Sequence, residues 1–312
     1  MIGFSRYAFI FMVSMAFSVA AYSAEVLRIG YQKSATTLVL LKGAGSLEKR
    51  LRPLGVTVTW TEFPGGPQLL EGLNVGSIDF GFTGETPPVF AQAAGASLVY
   101  VANEPASPTA EAILVPKDSP LQSVADLKGK KVALNKGSNV HYLLVRALYD
   151  AGLKYGDITP VYLPPADARA AFENGSVAAW VIWDPFSAAA EKQIQARVLR
   201  DGRGIVDNYQ FYLATRDFAA RHPQAISALI EEIRLIGNKA TQDPRAVARQ
   251  IAPLLGLPED ITQVAVERQG YDAQFISPEV IAGQQRIADT FADLKLIPQK
   301  LDIRQAVWSR PQ

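Results

Sequence analysis

The chain has 312 residues, of which 48% are hydrophobic and 20% are charged, and its formal net charge at neutral pH is +1. This length allows two domains with large cores, and the composition is that of a globular protein. A charge so close to zero argues against a nucleic-acid-binding protein, and the lack of cysteine excludes disulfides, thiolate metal sites, cysteine nucleophiles and a lipid-carrying cysteine.

The N-terminal residues are predicted to form an export signal. Arg6 gives a short positive region, residues 7–19 form an apolar run, and Ala21 and Ser23 occupy the −3 and −1 positions of a cleavage site. We predict cleavage after Ser23, which makes residues 1–23 a signal peptide and leaves a formally neutral mature chain. An uncleaved membrane anchor is the alternative, but the run is short for a span of about 20 residues. We expect a soluble periplasmic protein.

Strand and helix patterns alternate through the part of the chain that follows. Strands are predicted at 26–31, 56–60, 78–82 and 98–101, and helices at 36–51, 67–74 and 87–94. Alternating strands and helices with short loops indicate a mostly parallel sheet with helices on both faces.

The segment 76–88 contains a strand, a polar turn and a helix start. Apolar residues alternate through 78–82, and residues 83–86 form the turn, with Thr86 as a suitable N-cap and Pro87 as the first helical residue. Free backbone N–H groups at such a helix start favour an anion above the end of the strand.

Residues 175–185 repeat the pattern of residues 76–86 at an offset of 99, and Asp184 corresponds to Glu85. A repeat this short can also arise by chance. The functional interpretation is two similar α/β lobes, each of which offers polar turns at strand ends to a shared cleft.

The second half of the chain adds another group of strands and then a helical tail. Strands are predicted at 112–115, 132–134, 161–163, 177–183, 197–199 and 211–214, and tail helices near 217–240, 244–254, 258–269 and 277–296. Two crossings, near 111–115 and 211–215, predict a two-strand hinge that allows closure around a ligand. We assign residues 24–112 and 215–312 to lobe I and residues 113–214 to lobe II.

Characteristic runs extend over essentially the whole mature chain, at 28–33, 62–68, 73–79, 83–88, 90–96, 124–129, 136–138, 165–172, 182–185 and 302–305. Through these runs the sequence resembles a known family, the periplasmic aliphatic sulfonate-binding proteins of ABC importers, which are type II periplasmic binding proteins. The runs Thr83-Gly84-Glu85-Thr86-Pro87-Pro88 and Ile182-Trp183-Asp184-Pro185 occur broadly in that superfamily, and those through 62–79 and 165–172 are more particular to the sulfonate branch. The turns Ser34-Ala35-Thr36 and Asn139-Val140 depart from the family pattern and face the expected pocket, so the preferred sulfonate stays open.

The resemblance implies an α/β fold with two lobes of the type II periplasmic-binding-protein kind, joined by a two-strand hinge. It also implies a solute receptor that binds an aliphatic sulfonate in the inter-lobe cleft and delivers it to the membrane permease of an ABC importer. We expect a monomer that needs no metal or cofactor. A receptor for taurine, nitrate or another small anion is an alternative. An enzyme on this scaffold is a further one, although the sequence contains only two histidines and no nucleophile, metal or phosphate-loop motif.

A sulfonate carries three acceptor oxygens and no proton near neutral pH, so its site needs only donors. Turns at strand ends can supply backbone N–H groups and short hydroxyls, although each turn taken alone could simply cap its helix. Together with the family resemblance, three such turns favour a ligand site. The candidate ligand-binding residues are Gln32, Ser34, Thr83, Gly84, Glu85, Thr86, Gly137, Ser138, Asn139, His141, Trp183 and Asp184.

Glu85 and Asp184 need an explanation, because a carboxylate repels a sulfonate. They could accept backbone N–H groups at the turns, pair with Lys33 or Lys136 across the cleft, or bind the ammonium group of an aminosulfonate. The two lysines could instead touch the head group or remain solvated. The alkyl part needs an apolar wall, for which the candidates are Trp183 first and then Phe63, Tyr31, Tyr162 and Phe211, although most of these could simply be core residues.

Overall fold

A computed structural model describes residues 25–309 of the chain. The predicted signal peptide therefore lies outside the described residues. In the described part of the chain, no helix is both long and apolar enough to span a membrane.

The first lobe is built on a six-stranded sheet. Its strands are β1 (Glu25–Tyr31), β2 (Val56–Glu62), β3 (Phe80–Gly84), β4 (Leu98–Glu104), β10 (Gln210–Thr215) and β11 (Gln274–Phe275). Their order across the sheet is β11-β4-β10-β3-β1-β2. The helices between the first four strands are α1 (Thr36–Ala44), α2 (Ser46–Leu51), α3 (Gly66–Asn74) and α4 (Thr86–Ala93). The tail adds α8 (Arg216–Arg221), α9 (Pro223–Gln242), α10 (Pro244–Leu255), α11 (Glu259–Arg268) and α12 (Pro278–Asp293).

The second lobe is built on a five-stranded sheet. Its strands are β5 (Glu111–Val115), β6 (Lys131–Leu134), β7 (Thr159–Tyr162), β8 (Ala179–Trp183) and β9 (Arg197–Asp201). Their order across the sheet is β7-β6-β8-β5-β9. Its helices are α5 (Asn139–Asp150), α6 (Pro165–Glu173) and α7 (Phe186–Gln193). The predicted α/β class with two lobes is confirmed, and both sheets are mixed rather than purely parallel.

The two sheets share one topology. The order β2-β1-β3-β10-β4 in the first lobe matches β7-β6-β8-β5-β9 in the second. In each sheet, the fourth of these strands runs antiparallel to both of its neighbours. The chain passes between the sheets at residues 105–110 and 202–209, a few residues before the crossings expected from the sequence.

The repeat in the sequence corresponds to this shared topology. Strands β3 and β8 begin at Phe80 and Ala179, which lie 99 residues apart. This is the same offset as that between the repeated segments 76–86 and 175–185. Gly76 and Gly175 follow the helices that precede these strands, with φ of 72° and 74°. That left-handed conformation favours glycine, because a Cβ atom would crowd the backbone.

Several local predictions were wrong in detail, and one strand was missed. The predicted helix 217–240 is two helices, α8 and α9, because His222 between them has a non-helical φ of −127° and ψ of 52°. The predicted helix 36–51 is two helices, because Gly45 has a φ of 60° and ends α1. Thr86 is not an N-cap: it is the first residue of α4, and the preceding Glu85 has helical φ and ψ. The short strand β11 was not predicted, because two residues carry no periodic pattern.

Candidate ligand-binding cleft

A cleft lies at the carboxyl ends of the parallel strands of both sheets. Its inner part, which we call the polar chamber, is narrow, with a cavity volume of about 30 Å³. Ligands of open α/β sheets usually bind at this edge. The polar chamber is lined by Gln32, Lys33, Ser34, Thr36, Gly66, Thr83, Gly84, Ser107, Ala110, Asn139, Trp183, Asp184, Pro185, Asn208, Gln210, Ile251, Leu255, Thr262, Ala265, Val266 and Gln269.

Five helices begin at the polar chamber. Thr36, Gly66 and Asn139 are the first residues of α1, α3 and α5, while Gly84 and Pro185 lie just before α4 and α7. Helices α1, α3, α4 and α5 begin without a side-chain cap. Backbone N–H groups in the first turn have no partner within a helix, and the helix dipole adds partial positive charge there. The arrangement therefore suits an anion that accepts several hydrogen bonds.

Thr83 adds a hydroxyl group to these donors. It is fully buried, and its Oγ1 has no hydrogen-bond partner among the residues that the structure describes. Gly66 packs directly against this hydroxyl, so a Cβ atom at position 66 would overlap it and would also crowd the Pro87 ring. Glycine at position 66 therefore keeps the space beside Thr83 open.

Gln32 and Asn139 are held by bonds to the protein. Gln32 donates from Nε2 to the Phe82 carbonyl oxygen at 2.9 Å. The Asn139 amide nitrogen donates to a Glu111 carboxylate oxygen and to Asn208 Oδ1. These bonds fix the orientation of both side chains, with Asn139 using both of its amide N–H groups and Gln32 using one.

Asp184 lines the polar chamber, but part of its charge is compensated. Its Oδ1 accepts a hydrogen bond from the Ala188 backbone N–H at 2.9 Å and lies 3.6 Å from Nη1 of Arg268. Its Oδ2 is buried and has no partner within residues 25–309. Burial raises the pKa of Asp184 to about 7.

Glu85 does not line the polar chamber. Glu85 borders a separate cavity of about 600 Å³, which lies between α5, α12 and residues 204–209. Its Oε2 accepts from the Tyr209 N–H at 2.8 Å, and burial raises its pKa to about 8. Of the three roles considered for the two carboxylates, accepting backbone N–H groups is the one seen in this structure. Lys33 donates to the Leu255 carbonyl oxygen, and Lys136 lies 5.4 Å from the centre of the Tyr162 ring.

An apolar chamber adjoins the polar one and is larger, with a cavity volume of about 270 Å³. The two share Gln32, Lys33, Ser34 and Trp183. Trp183 packs edge-on against Phe186, with ring centres 6.2 Å apart. The other residues that line the apolar chamber are Glu62, Phe63, Pro64, Pro164, Pro165, Ala166 and Phe186.

The structure brings seven of the twelve candidate residues together at the polar chamber. They are Gln32, Ser34, Thr83, Gly84, Asn139, Trp183 and Asp184. Five do not line it, namely Glu85, Thr86, Gly137, Ser138 and His141. Of the expected apolar wall, Trp183 and Phe63 line the apolar chamber, whereas Tyr31, Tyr162 and Phe211 do not.

His141 lies beside the cleft, where the two lobes touch. It is fully buried, and its Nδ1 accepts from the Gly137 N–H. Its ring centre lies 6.1 Å from that of Phe90 and 5.2 Å from that of Phe291, which both belong to the first lobe. Burial lowers the pKa of His141 to about 3.

Sequence reasoning missed a group of lining residues for two reasons. Gly66 was visible as part of a glycine pair before Pro67, a signal that was interpreted only as a turn. No local signal marks a further group, which comes from the connections between the sheets, the start of β10, α10, α11 and the residue after α11: Ser107, Ala110, Asn208, Gln210, Ile251, Leu255, Thr262, Ala265, Val266 and Gln269.

Comparison with known proteins gives consistent matches over most of the chain. The profile of the NMT1/THI5-like family matches residues 54–247. An aliphatic sulfonates-binding protein of Escherichia coli K12 is 48% identical over 301 residues, which are 95% of this chain and 93% of that protein.

Two solved structures are similar over nearly the whole chain. The alkanesulfonate-binding protein SsuA from Xanthomonas axonopodis pv. citri, bound to MOPS, is 43% identical with a TM-score of 0.86, and the match covers 91% of this chain and 98% of that one. The periplasmic aliphatic sulphonate binding protein SsuA from Escherichia coli is 47% identical with a TM-score of 0.84, over 92% and 93% of the two chains. These relatives are named as binding proteins and not as enzymes.

Proposed function

The chain belongs to the NMT1/THI5-like family and to the aliphatic sulfonate-binding proteins, and we propose that it binds an aliphatic sulfonate between its lobes and delivers it to the permease of an ABC importer. The site is a polar chamber with open helix N-termini that continues into an apolar chamber. This pairing of chambers is the observation that carries the proposal.

The polar chamber suits the head group. A sulfonate spreads one negative charge over three oxygens, each of which accepts hydrogen bonds, and it needs no proton acceptor from the protein. The N-termini of α1, α3, α4 and α5 and the Thr83 hydroxyl supply donors from both lobes. A neutral ligand would leave these donors unpaired, which is unfavourable for buried polar groups.

The apolar chamber suits the alkyl chain. It meets the polar chamber at Ser34 and Trp183, so a ligand with its head group among the helix N-termini would extend its chain past the Trp183 indole toward Phe63. Each methylene that becomes buried there would contribute about 0.8 kcal/mol. The width of this chamber favours sulfonates with an organic substituent over inorganic sulfate.

The remaining parts of the proposal concern location and movement. The leader predicted at residues 1–23 would direct export to the periplasm, where the similar protein from Escherichia coli is placed by its name. The connections at 105–110 and 202–209 would act as the hinge on which the lobes close. We expect the protein to act as a monomer, since both halves of the cleft come from one chain.

A fluorescence titration of residues 24–312 tests the proposal. Trp183 lies at the junction of the chambers, so binding is expected to change its emission, and Trp183→Phe is expected to lose most of the signal. Saturable binding of pentanesulfonate at micromolar concentrations, about −8 kcal/mol, with no response to pentanol, is the expected result. A response to nitrate or sulfate and none to any sulfonate would contradict the assignment.

An aminosulfonate such as taurine is a second candidate, which one observation favours. The buried Asp184 Oδ2 has no partner in the described part of the chain, and it could accept a hydrogen bond from an ammonium group. Asp184→Asn would then weaken taurine binding strongly and pentanesulfonate binding little. Equal effects on both ligands would exclude this role.

A further inference from the structure

An ion cluster joins the two lobes beside the cleft. Arg268 is the last residue of α11, and Val266 of the same helix packs in the apolar core of the first lobe with Leu27 and Ile29 of β1. Its Nη1 and Nη2 atoms lie 2.7 Å and 3.1 Å from the two carboxylate oxygens of Glu191, which belongs to α7 of the second lobe. Arg268 is therefore held by the opposite lobe through a bidentate contact.

The same guanidinium reaches the wall of the polar chamber. Its Nη1 lies 3.6 Å from Oδ1 of Asp184, which also belongs to the second lobe. The side chains of Arg268 and Glu191 are 27% and 23% exposed, and that of Asp184 only 6%. Charges that are this far removed from water interact more strongly than a surface ion pair.

Apolar packing supports the alignment of the two helices. Ala188 and Ala189 of α7 are buried against Ile261 of α11. Since this contact fixes the distance between the helices, it places the Arg268 guanidinium within reach of the Glu191 and Asp184 carboxylates when the lobes are together.

The cluster has a consequence for the charge of the cleft. Asp184 by itself would place an acceptor carboxylate beside a bound anion. The cation that offsets it comes from the other lobe, so the compensation exists only while the lobes are together. Lys33, which lines the polar chamber, donates to the Leu255 carbonyl oxygen, and Arg203 of the connection 202–209 is paired with Asp201 at 2.7 Å.

We propose that Arg268 is a positioning residue that couples closure of the lobes to anion binding. Through Glu191 it holds the closed arrangement, and through Asp184 it makes the closed cleft tolerant of a negative head group. It does not line either chamber and needs no contact with the ligand. The inference rests on the proposed sulfonate-binding function.

The test compares pentanesulfonate binding by the wild type, Arg268→Gln and a matched control. Arg28→Gln is the control, because Arg28 makes a bidentate contact with Asp79 at 2.8 and 2.6 Å inside the first lobe. Arg268→Gln is expected to raise Kd at least about tenfold, mainly through faster dissociation. Arg28→Gln is expected to leave Kd unchanged while it lowers the melting temperature.

Double-mutant cycles separate the two contacts. In a Glu191→Gln background, Arg268→Gln loses the part of its effect that comes from holding the lobes. In an Asp184→Asn background it loses the part that comes from charge compensation. In the otherwise wild-type protein, Arg268→Lys keeps the positive charge and should therefore retain the part of the affinity that comes from charge compensation. Kd measured by calorimetry and dissociation rates from stopped-flow fluorescence give both quantities.

The outcomes are distinct. If the wild type binds pentanesulfonate and Arg268→Gln binds it equally well, the coupling role is refuted while the receptor function stands. The same holds if Arg268→Gln has as large an effect in each of the two variant backgrounds as it has in the wild type. If the wild type binds no sulfonate, the proposed function itself has failed.

Discussion

Replacing Glu85 by glutamine is expected to change how stability depends on pH. Glu85 is 2% exposed; its Oε2 accepts from the Tyr209 N–H, while Oε1 has no partner among residues 25–309. Burial raises its pKa from the usual 4.5 to about 8, so the folded protein keeps this carboxyl protonated at neutral pH, whereas the unfolded chain does not. Its contribution to stability is complete below the unfolded pKa and is lost as the pH rises through the folded one.

The size of the effect follows from the same pKa values. One pKa unit corresponds to about 1.4 kcal/mol, so between about pH 5.5 and about pH 8 this single group should remove roughly 3 kcal/mol from the free energy of unfolding. In Glu85→Gln, the amide oxygen can still accept the Tyr209 N–H, and the side chain stays neutral at every pH. The variant should therefore lack this part of the alkaline loss.

Urea unfolding of the wild type and the variant at these two pH values measures the effect. Burial also raises the pKa of Glu104 and Asp184 to about 7, but both proteins contain these groups, so their contributions largely cancel in the difference. Burial and then the Glu85 charge raise the pKa of Glu111, so the part of that shift that comes from Glu85 belongs to the measured difference. Glu231→Gln, which removes one charge of an exposed surface ion pair, is the control, and it should not change how the free energy of unfolding differs between the two pH values. If the stability difference between wild type and Glu85→Gln is the same at both pH values, Glu85 is not held protonated and the reasoning is wrong.

Three further changes probe other parts of the molecule. Gly66→Ala would push a methyl group into the Thr83 hydroxyl, so sulfonate affinity measured by titration should fall at least about tenfold; unchanged affinity would exclude Thr83 from the head-group site. Phe63→Ala should weaken pentanesulfonate binding by roughly 1–2 kcal/mol and methanesulfonate binding hardly at all, and equal losses would show that the chain lies elsewhere. The pKa of His141, lowered to about 3, implies that its contribution to stability is lost as the pH falls below the unfolded pKa of 6.5, by about 2 kcal/mol at about pH 5. His141→Phe should remove this acid loss in thermal melts, whereas an unchanged acid loss would mean that His141 is not its source.

Local patterns were sufficient to predict the strands and helices that frame the cleft. The segment 76–88 contains a buried strand that leads into a helix start, and residues 175–185, which repeat its pattern, form the equivalent unit of the second lobe. Periodicity and turn residues encode such units because they depend on neighbours in the chain. The shared order of strands in the two sheets follows from the same repeated units.

The orientation of Glu85 could not be predicted from the pattern. Continued strand alternation would place it on the same side as Thr83, inside the polar chamber. Strand β3 instead ends at Gly84, and Glu85 has φ of −70° and ψ of −29°, so the backbone turns into the helix one residue earlier than expected. The side chain consequently faces the connection 202–209 at Tyr209.

The partners of Asp184 were also beyond the reach of local reasoning. Arg268 follows it by 84 residues and belongs to a helix whose amphipathic pattern predicts only that one side is buried. Which helix of the tail meets α7 depends on how α10 and α11 pack on the first lobe. The same limit applies to Leu255 and Val266, which close one side of the polar chamber.

The facing helix N-termini have a consequence for the empty receptor. Each N-terminus behaves as roughly half a positive charge, and α1, α3 and α4 of one lobe begin at the same polar chamber as α5 of the other. Without an anion, these like poles repel across the cleft and favour separation of the lobes. A bound sulfonate supplies the missing counter-charge, so the ligand itself provides the electrostatic attraction that holds the two lobes together.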